Sequence, residues 1–333
     1  MSEPQTLAEA LTRKAGLSAP RAIEPLAGGR NNRVFRVVLV DGAVVVLKSY
    51  HHDPRDPRDR LQAEWSFLAY VGERGVKSVP RPLASDPAEH AALYEFVPGV
   101  RAVAADAALV AQAAQFVAAI NGAPREPQRL APASEACFSL SSHIDTVDRR
   151  VARLTDFDPK VPHVEKARAF VDGRLTPVWR QVRGAILDAA AARGLSPGAA
   201  VTCEVVSPSD FGFHNALIDD VGRATFLDFE YAGRDDAAKL ICDFFCQPEL
   251  AVPLEYYDAF TGRIAEPLGL AEDDLWRARI LLDAYRIKWV CIMLNEFSAV
   301  GARRRAFASA QDEEVRAARQ LATAERYLDL VTS

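Results

Sequence analysis

The residue pattern of the chain changes near Pro98-Gly99, and this change limits the folds that the chain can adopt. Before it, runs rich in β-branched residues alternate with turns: RVFRVVLV, a turn at Asp41-Gly42 and AVVVLKSY predict a β-hairpin. After it, stretches rich in Ala, Leu, Arg and Glu predict helices, with one short β excursion between residues 201 and 228. We therefore expect an α+β fold with two lobes: a small β-rich N-terminal lobe, residues 1–98, and a larger, mainly helical C-terminal lobe, residues 99–333.

The individual elements follow from the spacing of apolar residues. In the N-terminal lobe, residues 59–75 are expected to form a helix and AALYEFV, at 91–97, a short strand. In the C-terminal lobe, the predicted helices cover residues 102–120, 143–154, 164–193, 254–265, 273–297 and 312–331. Within the β excursion, ALID and ATFLD read as two strands that a turn at 220–223 separates.

Charge and composition exclude several classes of protein. The net charge is only −5, with 40 Lys and Arg interspersed among 45 Asp and Glu, which argues against a nucleic-acid-binding surface. The N-terminus is polar and no apolar run approaches the roughly 20 residues of a membrane span, so no membrane association is expected. The five cysteines lack metal-ligand spacing and indicate reduced thiols in a cytoplasmic protein. None of these features indicates an oligomeric state.

The residues with the clearest chemical meaning flank the two strands of the β excursion. An antiparallel hairpin brings its two ends together, so Asn215, before the first strand, should lie beside Asp228, after the second. Asp210 lies five residues ahead of Asn215, on the loop that leads into the hairpin. Phosphoryl transfer uses such a set: one carboxylate orients the acceptor hydroxyl and receives its proton, while an amide oxygen and a second carboxylate hold Mg²⁺.

Residues 210–212 spell Asp-Phe-Gly, the tripeptide that carries the metal-binding Asp in protein kinases. That assignment would require a base Asp and a metal-binding Asn shortly upstream, and no Asn occurs between Asn121 and Asn215. Asp210 therefore fits the position of the base, and Asp228, eighteen residues later, fits the position of the metal ligand.

The combination of D-x-x-x-x-N with L-D-F-E-Y-A-G resembles the aminoglycoside phosphotransferase and choline kinase superfamily, which has a protein-kinase-like fold. The resemblance spans roughly residues 23–247 and implies that Asp210 is the catalytic base, while Asn215 and Asp228 bind Mg²⁺. By the same resemblance, Glu230 either binds a second metal ion or is structural. The chain departs from the family's His-Gly-Asp pattern, because Pro208 stands where the family has a His that supports the loop.

The N-terminal lobe contains the residues expected at a nucleotide site. Lys48 ends the strand VVVLK and resembles the lysine that pairs with α- and β-phosphates in kinase-like folds, and Glu64 on the following helix would hold it in an ion pair. The ordinary alternatives are a strand-edge lysine and a solvated surface acid. Gly28, Gly29 and Asn31 would form a phosphate-covering turn ahead of Lys48, for which a plain hairpin turn is the alternative.

The strand YEFVPG resembles the connector between the lobes of kinase-like folds, whose backbone pairs with the base of the nucleotide. Glu95 and Val97 are the expected backbone contacts. Since the backbone would make these contacts, the side chains do not distinguish ATP from GTP.

The acceptor is expected to be a small molecule, because no Ala-Pro-Glu segment of the protein-kinase type follows Asp228. Helix 273–297 has an aromatic and acidic face that is either part of an acceptor pocket or core: Tyr285, Trp289, Ile292 and Glu296. The sequence thus predicts an ATP- or GTP-dependent, Mg²⁺-dependent phosphotransferase for a hydroxyl of an amino alcohol, a sugar or an aminoglycoside-like compound. The alternatives are a catalytically silent kinase-like nucleotide-binding protein and a helical interaction protein that matches the motif by chance.

Overall fold

The computed structural model describes residues 3–26, 32–52, 56, 58–298 and 313–332. Its α-helices, numbered in chain order, are α1 (Pro4–Lys14), α2 (Arg60–Glu73), α3 (Ala107–Asn121), α4 (Leu140–Arg153), α5 (Val164–Phe170), α6 (Thr176–Ala192), α7 (Ala237–Phe245), α8 (Tyr257–Leu268), α9 (Glu272–Ile280), α10 (Leu282–Leu294) and α11 (Glu313–Thr332). A π-helical turn joins α5 to α6, and short 3₁₀ turns cover Pro127–Arg129, Phe213–Asn215, Leu254–Tyr256 and Asn295–Phe297.

The strands are β1 (Pro20–Leu26), β2 (Asn32–Leu39), β3 (Val44–Tyr50), β4 (Pro82–Asp86), β5 (Ala91–Glu95), β6 (Val100–Arg101), β7 (Glu204–Ser207), β8 (Ala216–Ile218), β9 (Ala224–Phe226) and β10 (Gly233–Asp236). They form a five-stranded antiparallel sheet in the order β1-β2-β3-β5-β4, a three-stranded sheet β6-β8-β9 and a two-stranded sheet of β7 and β10. β2 and β3 join at Gly42, whose φ of 88° is a conformation that suits glycine. Between β3 and β5, Lys48 lies opposite Ala92 and Val46 lies opposite Tyr94.

One face of the five-stranded sheet is covered by α1, a helix that was not predicted from the sequence. Leu7 and Leu11 of α1 are buried one helical turn apart. With Ala8 they form an apolar cluster with residues of the sheet: Phe35, Val37, Leu39, Val45, Leu47, Ala84, Ala91 and Leu93. Because successive side chains of a strand point to opposite faces, Lys48 lies on the face turned away from α1.

By its internal contacts the chain divides into two compact units. The first contains Met1–Ser134, Val205–Arg234 and Glu255–Leu268, and holds the five-stranded sheet, the sheet β6-β8-β9 and helices α1, α2, α3 and α8. The second contains Glu135–Glu204, Asp235–Leu254 and Gly269–Ser333, and holds the remaining helices. The first unit includes residues far beyond 98, so the two units are not the two predicted lobes. The predicted lobe boundary at 98/99 stays a prediction.

The predicted α+β class is confirmed, since a β-sheet occupies the N-terminal region and helices dominate the remainder. The predicted helix 273–297 is instead two helices, α9 and α10, which meet at Leu281. No Gly or Pro lies in this stretch, so the sequence holds none of the usual signals for a break. No helix within the described ranges is long and apolar enough to cross a membrane.

Candidate functional site

Lys48 is the centre of a charged cluster in the first unit. It lies on β3 with 7% of its surface exposed, and its Nζ is 2.6 Å from Glu64 Oε2 and 2.6 Å from Asp228 Oδ1. Burial alone would lower the pKa of Lys48, but the carboxylates of Asp228 and Glu64 outweigh it and raise the pKa above its usual range. Lys48 therefore remains an ammonium that joins two acids distant in the sequence.

Glu64, on α2, is engaged through both of its oxygens. Oε2 accepts hydrogen bonds from Lys48 and from the Tyr50 hydroxyl at 2.7 Å, and Oε1 accepts the Phe229 backbone N–H at 3.4 Å. Burial raises the pKa of Glu64, and the Lys48 ammonium opposes this shift. Glu64 thus links β3 to the backbone that follows the strand β9.

The predicted hairpin of β8 and β9 brings Asn215 near Asp228. Ala216 pairs with Phe226, and the Leu227 N–H donates to the Asn215 carbonyl at 2.8 Å. Asn215 therefore lies across the ladder from the residue that immediately precedes Asp228. This register follows from an antiparallel hairpin of two three-residue strands.

Asp210 adjoins Asn215 on the loop before the hairpin. The Asp210 carbonyl accepts a hydrogen bond from Asn215 Nδ2 at 3.3 Å, and its side chain is 34% exposed. His214 Nε2 lies 3.5 Å from Asp210 Oδ1, and neither ring nitrogen of His214 has a hydrogen-bond partner among the described residues. The structure thus brings Asp210, Asn215 and Asp228 into one neighbourhood of the first unit.

Two of these acids have an uncommon backbone conformation. Asp210 has a φ of 43° and Asp228 a φ of 64°, and Ser209 before Asp210 has a φ of 47°. Positive φ in a residue other than glycine costs about 1–3 kcal/mol, and Asp and Asn tolerate it best. Such strain is maintained where the surrounding structure fixes it, and it concentrates at functional sites.

The letters Asp-Phe-Gly at 210–212 have a packing explanation. Phe211 and Phe213 are 3% and 0% exposed. Phe211 packs against Phe116 of α3 and Phe226 of β9, with ring centroids 5.7 and 5.1 Å apart. Both buried rings follow Asp210 in the chain and anchor the loop directly after this partly exposed residue.

The loop has anchors that do not need the His replaced by Pro208. Asn121 of α3 clamps the backbone of Val206, accepting its N–H at 2.8 Å and donating to its carbonyl at 2.9 Å. The Ser207 hydroxyl accepts the Ser209 N–H at 3.2 Å. Asn121 is fully buried, so these bonds are shielded from water.

Glu230 connects the hairpin end to two segments of the N-terminal sheet region. Its Oε2 accepts a hydrogen bond from Asn32 Nδ2 at 2.5 Å and lies 3.8 Å from Arg60 Nε. With 4% exposure and these partners, Glu230 suits a structural role better than that of a second metal ligand. Asn32 is the first described residue after the predicted phosphate-covering turn. Three predicted residues of that turn lie outside the described ranges: Gly28, Gly29 and Asn31.

The predicted connector follows β5. Glu95 ends this strand, and its N–H donates to the Arg81 carbonyl at 2.9 Å, while its carboxylate pairs with Arg81 Nε at 3.1 Å. Val97 lies two residues on and is half-buried. Because the Glu95 N–H is engaged, a contact of its backbone with a ligand would use the carbonyl.

The oxygen donors of the site fit the metal that the resemblance implies. Asp228 has a side chain that is 43% exposed, and Asn215 offers an amide oxygen because its Nδ2 donates to Asp210. Such hard oxygen ligands suit Mg²⁺, whose shell phosphates and water usually complete. No group of three or more His, Cys, Asp and Glu side chains in the described ranges could hold a metal. The donor set therefore suits Mg²⁺ that binds together with phosphate.

Three residues of this region were not predicted from the sequence: Tyr50, Arg60 and Tyr94. For Tyr50 a signal exists, since residues two apart on a strand share a face and Tyr50 follows Lys48 by two. For the others the signal is absent, because their partners depend on the register of β3 against β5 and on the position of Glu230.

A sequence model of the APH family, described as a phosphotransferase enzyme family, matches residues 22–272 of the chain. No curated protein sequence matches the chain. The chain is similar in structure to spectinomycin phosphotransferase in complex with ADP and spectinomycin, with a TM-score of 0.63 and 12% identity, covering 99% of this chain and 99% of that one.

Two further solved structures are similar to this chain along nearly their whole length. Macrolide 2'-phosphotransferase from Brachybacterium faecium gives a TM-score of 0.59 at 16% identity and covers 96% of this chain and 98% of that one. The choline kinase from Streptococcus pneumoniae gives a TM-score of 0.57 at 13% identity, and the match covers 97% of this chain and 98% of that one. These likenesses confirm the kinase-like fold that the motif resemblance predicts.

Proposed function

Because the chain belongs to the phosphotransferase enzyme family, we propose that it transfers the γ-phosphoryl group of ATP or GTP to a hydroxyl group of a small molecule. The observation that carries the proposal is the position of Lys48 Nζ, 2.6 Å from both Glu64 and Asp228. A buried ammonium beside a partly exposed carboxylate offers one group for phosphate and one for a metal ion. The ADP bound to the similar spectinomycin phosphotransferase supports a nucleotide as the donor.

Each charged residue has a defined task in this proposal. Lys48 pairs with the α- and β-phosphates, and Glu64 keeps its ammonium oriented. Asn215 and Asp228 would hold Mg²⁺, which when bound neutralises charge on the β- and γ-phosphates. Asp228 follows the hairpin strand β9 and has a left-handed backbone conformation.

Asp210 is the proposed base. Its carboxylate orients the acceptor hydroxyl and takes its proton as the acceptor oxygen bonds to the γ-phosphorus. The bond from this phosphorus to the β,γ-bridging oxygen breaks, and the nucleoside diphosphate leaves. The 34% exposure of the Asp210 side chain agrees with a group that must meet a substrate.

The remaining predicted residues would hold the rest of the nucleotide. Gly28, Gly29 and Asn31 would cover the phosphates with backbone N–H groups. The Glu95 carbonyl and the Val97 N–H would contact the base, since the Glu95 N–H already donates to Arg81.

We propose that the acceptor is an amino alcohol, a sugar or an aminoglycoside-like compound. The similar structures are named for spectinomycin, macrolides and choline, which are small hydroxyl-bearing molecules. The aromatic and acidic face predicted on residues 273–297 is not included, because Tyr285 hydrogen-bonds His143 at 2.7 Å and Glu296 pairs with Arg316 at 3.0 Å inside the second unit. All five cysteines are buried thiols, which supports the proposed cytoplasmic location.

A second candidate function is nucleotide binding without turnover. It is favoured by one observation, Pro208 in place of the His that supports the base loop in the family. The anchors of that loop through Asn121 and Ser207 argue for the active form.

The two functions separate in one experiment. Binding of Mg-ATP and Mg-GTP is measured by calorimetry, and nucleoside diphosphate release is then followed with amino alcohols, sugars and aminoglycosides, corrected for hydrolysis without acceptor. Acceptor-dependent release supports the phosphotransferase, and tight binding without release supports the silent protein. Absence of binding to either nucleotide would refute both.

The base assignment has its own test. Asp210→Asn should abolish acceptor-dependent release while nucleotide affinity changes less than threefold, because Asn tolerates the positive φ and keeps the shape. Asp220→Asn, an exposed residue in the turn of the same hairpin, is the matched control and should retain turnover. Turnover by the Asp210 variant at the wild-type rate would remove Asp210 from the mechanism.

A further inference from the structure

A buried chain of hydroxyl groups extends the Lys48 cluster toward the end of β5. Tyr50 and Tyr94 are 2% and 4% exposed. The Tyr50 hydroxyl lies 2.7 Å from Glu64 Oε2 and 2.6 Å from the Tyr94 hydroxyl. Tyr94 directly precedes Glu95, the residue at which β5 ends and the proposed base contacts begin.

The strand register explains why these groups meet. Lys48 and Tyr50 are two residues apart on β3 and therefore share a face. On β5, Tyr94 lies opposite Val46, which is two residues from Lys48 on the other side, so it shares that face as well. Both tyrosines thus point away from α1 and toward the helix that carries Glu64.

The direction of the hydrogen bonds is fixed by what each group can donate. An ionised carboxylate only accepts, so the single proton of the Tyr50 hydroxyl goes to Glu64. The Tyr50 oxygen must then accept at its contact with Tyr94, so the Tyr94 hydroxyl is the donor there. Burial raises the pKa of both tyrosines, which keeps both hydroxyls protonated and able to donate.

The hydrogen bond from Tyr50 stabilises the carboxylate of Glu64. Burial raises its pKa, and Lys48 and the Tyr50 hydroxyl act in the opposite direction. Without the Tyr50 donor, Oε2 would rely on Lys48 alone, while Lys48 is also drawn to Asp228 at the same distance of 2.6 Å. The donor from Tyr50 therefore decides how firmly Glu64 holds the ammonium in place.

We propose that Tyr50 and Tyr94 are positioning residues for triphosphate binding, acting in the order Tyr94 to Tyr50 to Glu64 to Lys48. This inference rests on the proposed nucleotide function. This chain of hydrogen bonds connects the end of β5, where the nucleotide base would bind, with the Lys48 ammonium, which would bind phosphate. Packing alone does not need the two hydroxyls, because phenylalanine would fill the same space.

The test uses Tyr50→Phe, Tyr94→Phe and the double variant, which keep the aromatic volume. Calorimetry measures the affinity for Mg-ATP or Mg-GTP, whichever binds to the wild type, and for its nucleoside without phosphate. Tyr50→Phe should weaken triphosphate binding about tenfold, close to the lower limit for a lost hydrogen bond to a charged group, and Tyr94→Phe about two- to threefold. Nucleoside affinity should stay within twofold.

The order of action predicts a specific coupling. Since Tyr94 acts only through Tyr50, the double variant should lose as much triphosphate affinity as Tyr50→Phe alone. Independent effects would instead give a loss equal to the product of the two single-variant losses. Tyr70→Phe is the control: Tyr70 is a 2% exposed residue of α2, the helix of Glu64, and its hydroxyl has no hydrogen-bond partner among the described residues. This variant should bind as the wild type does.

Several results would overturn the inference. Triphosphate affinity of Tyr50→Phe equal to that of the wild type removes the role of the hydroxyl. Equal losses for triphosphate and nucleoside, or multiplicative effects in the double variant, indicate packing instead of positioning. A wild-type protein that binds neither triphosphate overturns the proposed function and this inference together, whereas wild-type binding with unaffected variants overturns the inference only.

Discussion

The two units of the molecule each contain a buried charged cluster with a lysine between carboxylates. In the first unit, the open cluster consists of Lys48, Glu64 and Asp228, and the Asp228 side chain is 43% exposed. In the second unit, the closed cluster consists of Asp235, Lys239, Asp243 and Lys288, and no side chain of it is more than 8% exposed.

The closed cluster is arranged around one helix. Lys239 of α7 lies 2.9 Å from Asp235 and 3.0 Å from Asp243, one turn away on either side, and Lys288 of α10 lies 2.8 Å from Asp243. Burial alone would lower the pKa of Lys239, but the two carboxylates raise it, and the two lysines hold the pKa of Asp243 at about 2 against burial. Each charge therefore has its partner inside the unit.

A second buried network lies next to the closed cluster in the chain. Asp236 accepts from His143 Nε2 at 3.0 Å and from Arg277 Nε at 2.7 Å. His143 Nδ1 contacts the Tyr285 hydroxyl at 2.7 Å. This network connects four helices: α4, α9, α10 and α7, the last through Asp236 at its N-terminus.

The two clusters differ in whether one of their carboxylates is exposed: Asp228 is partly exposed in the open cluster, and every carboxylate of the closed cluster is buried. Ion pairs that are closed on all sides fix the relative position of the helices they join, and breaking one is costly. The open cluster has two carboxylates on one ammonium, and the Asp228 carboxylate is partly exposed, which in our proposal lets it bind a metal ion. Similar chemistry thus serves structure in one unit and, in our proposal, function in the other.

The largest effect is expected in the closed cluster. Lys239→Met should lower the free energy of unfolding by about 3–5 kcal/mol, because Asp235 loses its ammonium partner and Asp243 keeps only Lys288. Urea titration followed by circular dichroism measures the loss. Arg193→Met, which removes surface pairs with Glu272 and Asp273 in the same unit, should change stability far less. Equal losses in the two variants would contradict the distinction between closed and exposed pairs.

A pH-dependent effect of intermediate size is expected at His143. Burial alone would lower its pKa, but the neighbouring Cys137 sulfur and the hydrogen-bonded Asp236 raise it from 6.5 to about 9. A raised folded-state pKa stabilises fully below pH 6.5, and this stabilisation is lost as the pH rises through 9, amounting to about 3 kcal/mol at 1.36 kcal/mol per unit.

The stability of the wild type relative to His143→Gln should therefore shrink between pH 6.5 and 9. Urea titrations of both proteins at several pH values across this window give the difference. His51→Gln alters an exposed residue and should leave the pH dependence as in the wild type. A constant difference between wild type and His143→Gln would mean that His143 does not gain a proton on folding.

The smallest effect on stability is expected in the open cluster. Asp228→Asn should change the free energy of unfolding by less than about 1 kcal/mol, because the carboxylate is partly exposed and Asn tolerates its φ of 64°. The same variant should weaken Mg-nucleotide binding at least tenfold, since the amide is a poorer ligand for Mg²⁺. Calorimetry and urea titration on one preparation measure both quantities, with Asp220→Asn as the matched control. Unchanged nucleotide affinity, or a loss of stability as large as that of Lys239→Met, would remove the contrast between the clusters.

Much of this arrangement could be predicted from local sequence patterns. The alternation in VVVLK and the Asp41-Gly42 turn predict β3 and its hairpin, and the two strands around residues 220–223 predict that Asn215 approaches Asp228. The roles of Asp210, Asn215 and Asp228 in phosphoryl transfer stay predictions. The helix α1 was missed although Leu7 and Leu11 have helical spacing, because a short polar segment gives a weak periodic signal.

The sequence by itself determined the order of a β-rich region and a helical region, the strand that carries Lys48 and the meeting of the ends of the β8–β9 hairpin, because period and turn chemistry are local properties. Only the tertiary structure decided that the Tyr94 hydroxyl meets the Tyr50 hydroxyl beside Glu64, that Glu230 binds Asn32, and that Lys288 pairs with Asp243 while Asp228 stays partly exposed. These contacts join residues that lie far apart along the chain or on different elements. Strand register and helix packing set them, and no short stretch of sequence contains that information.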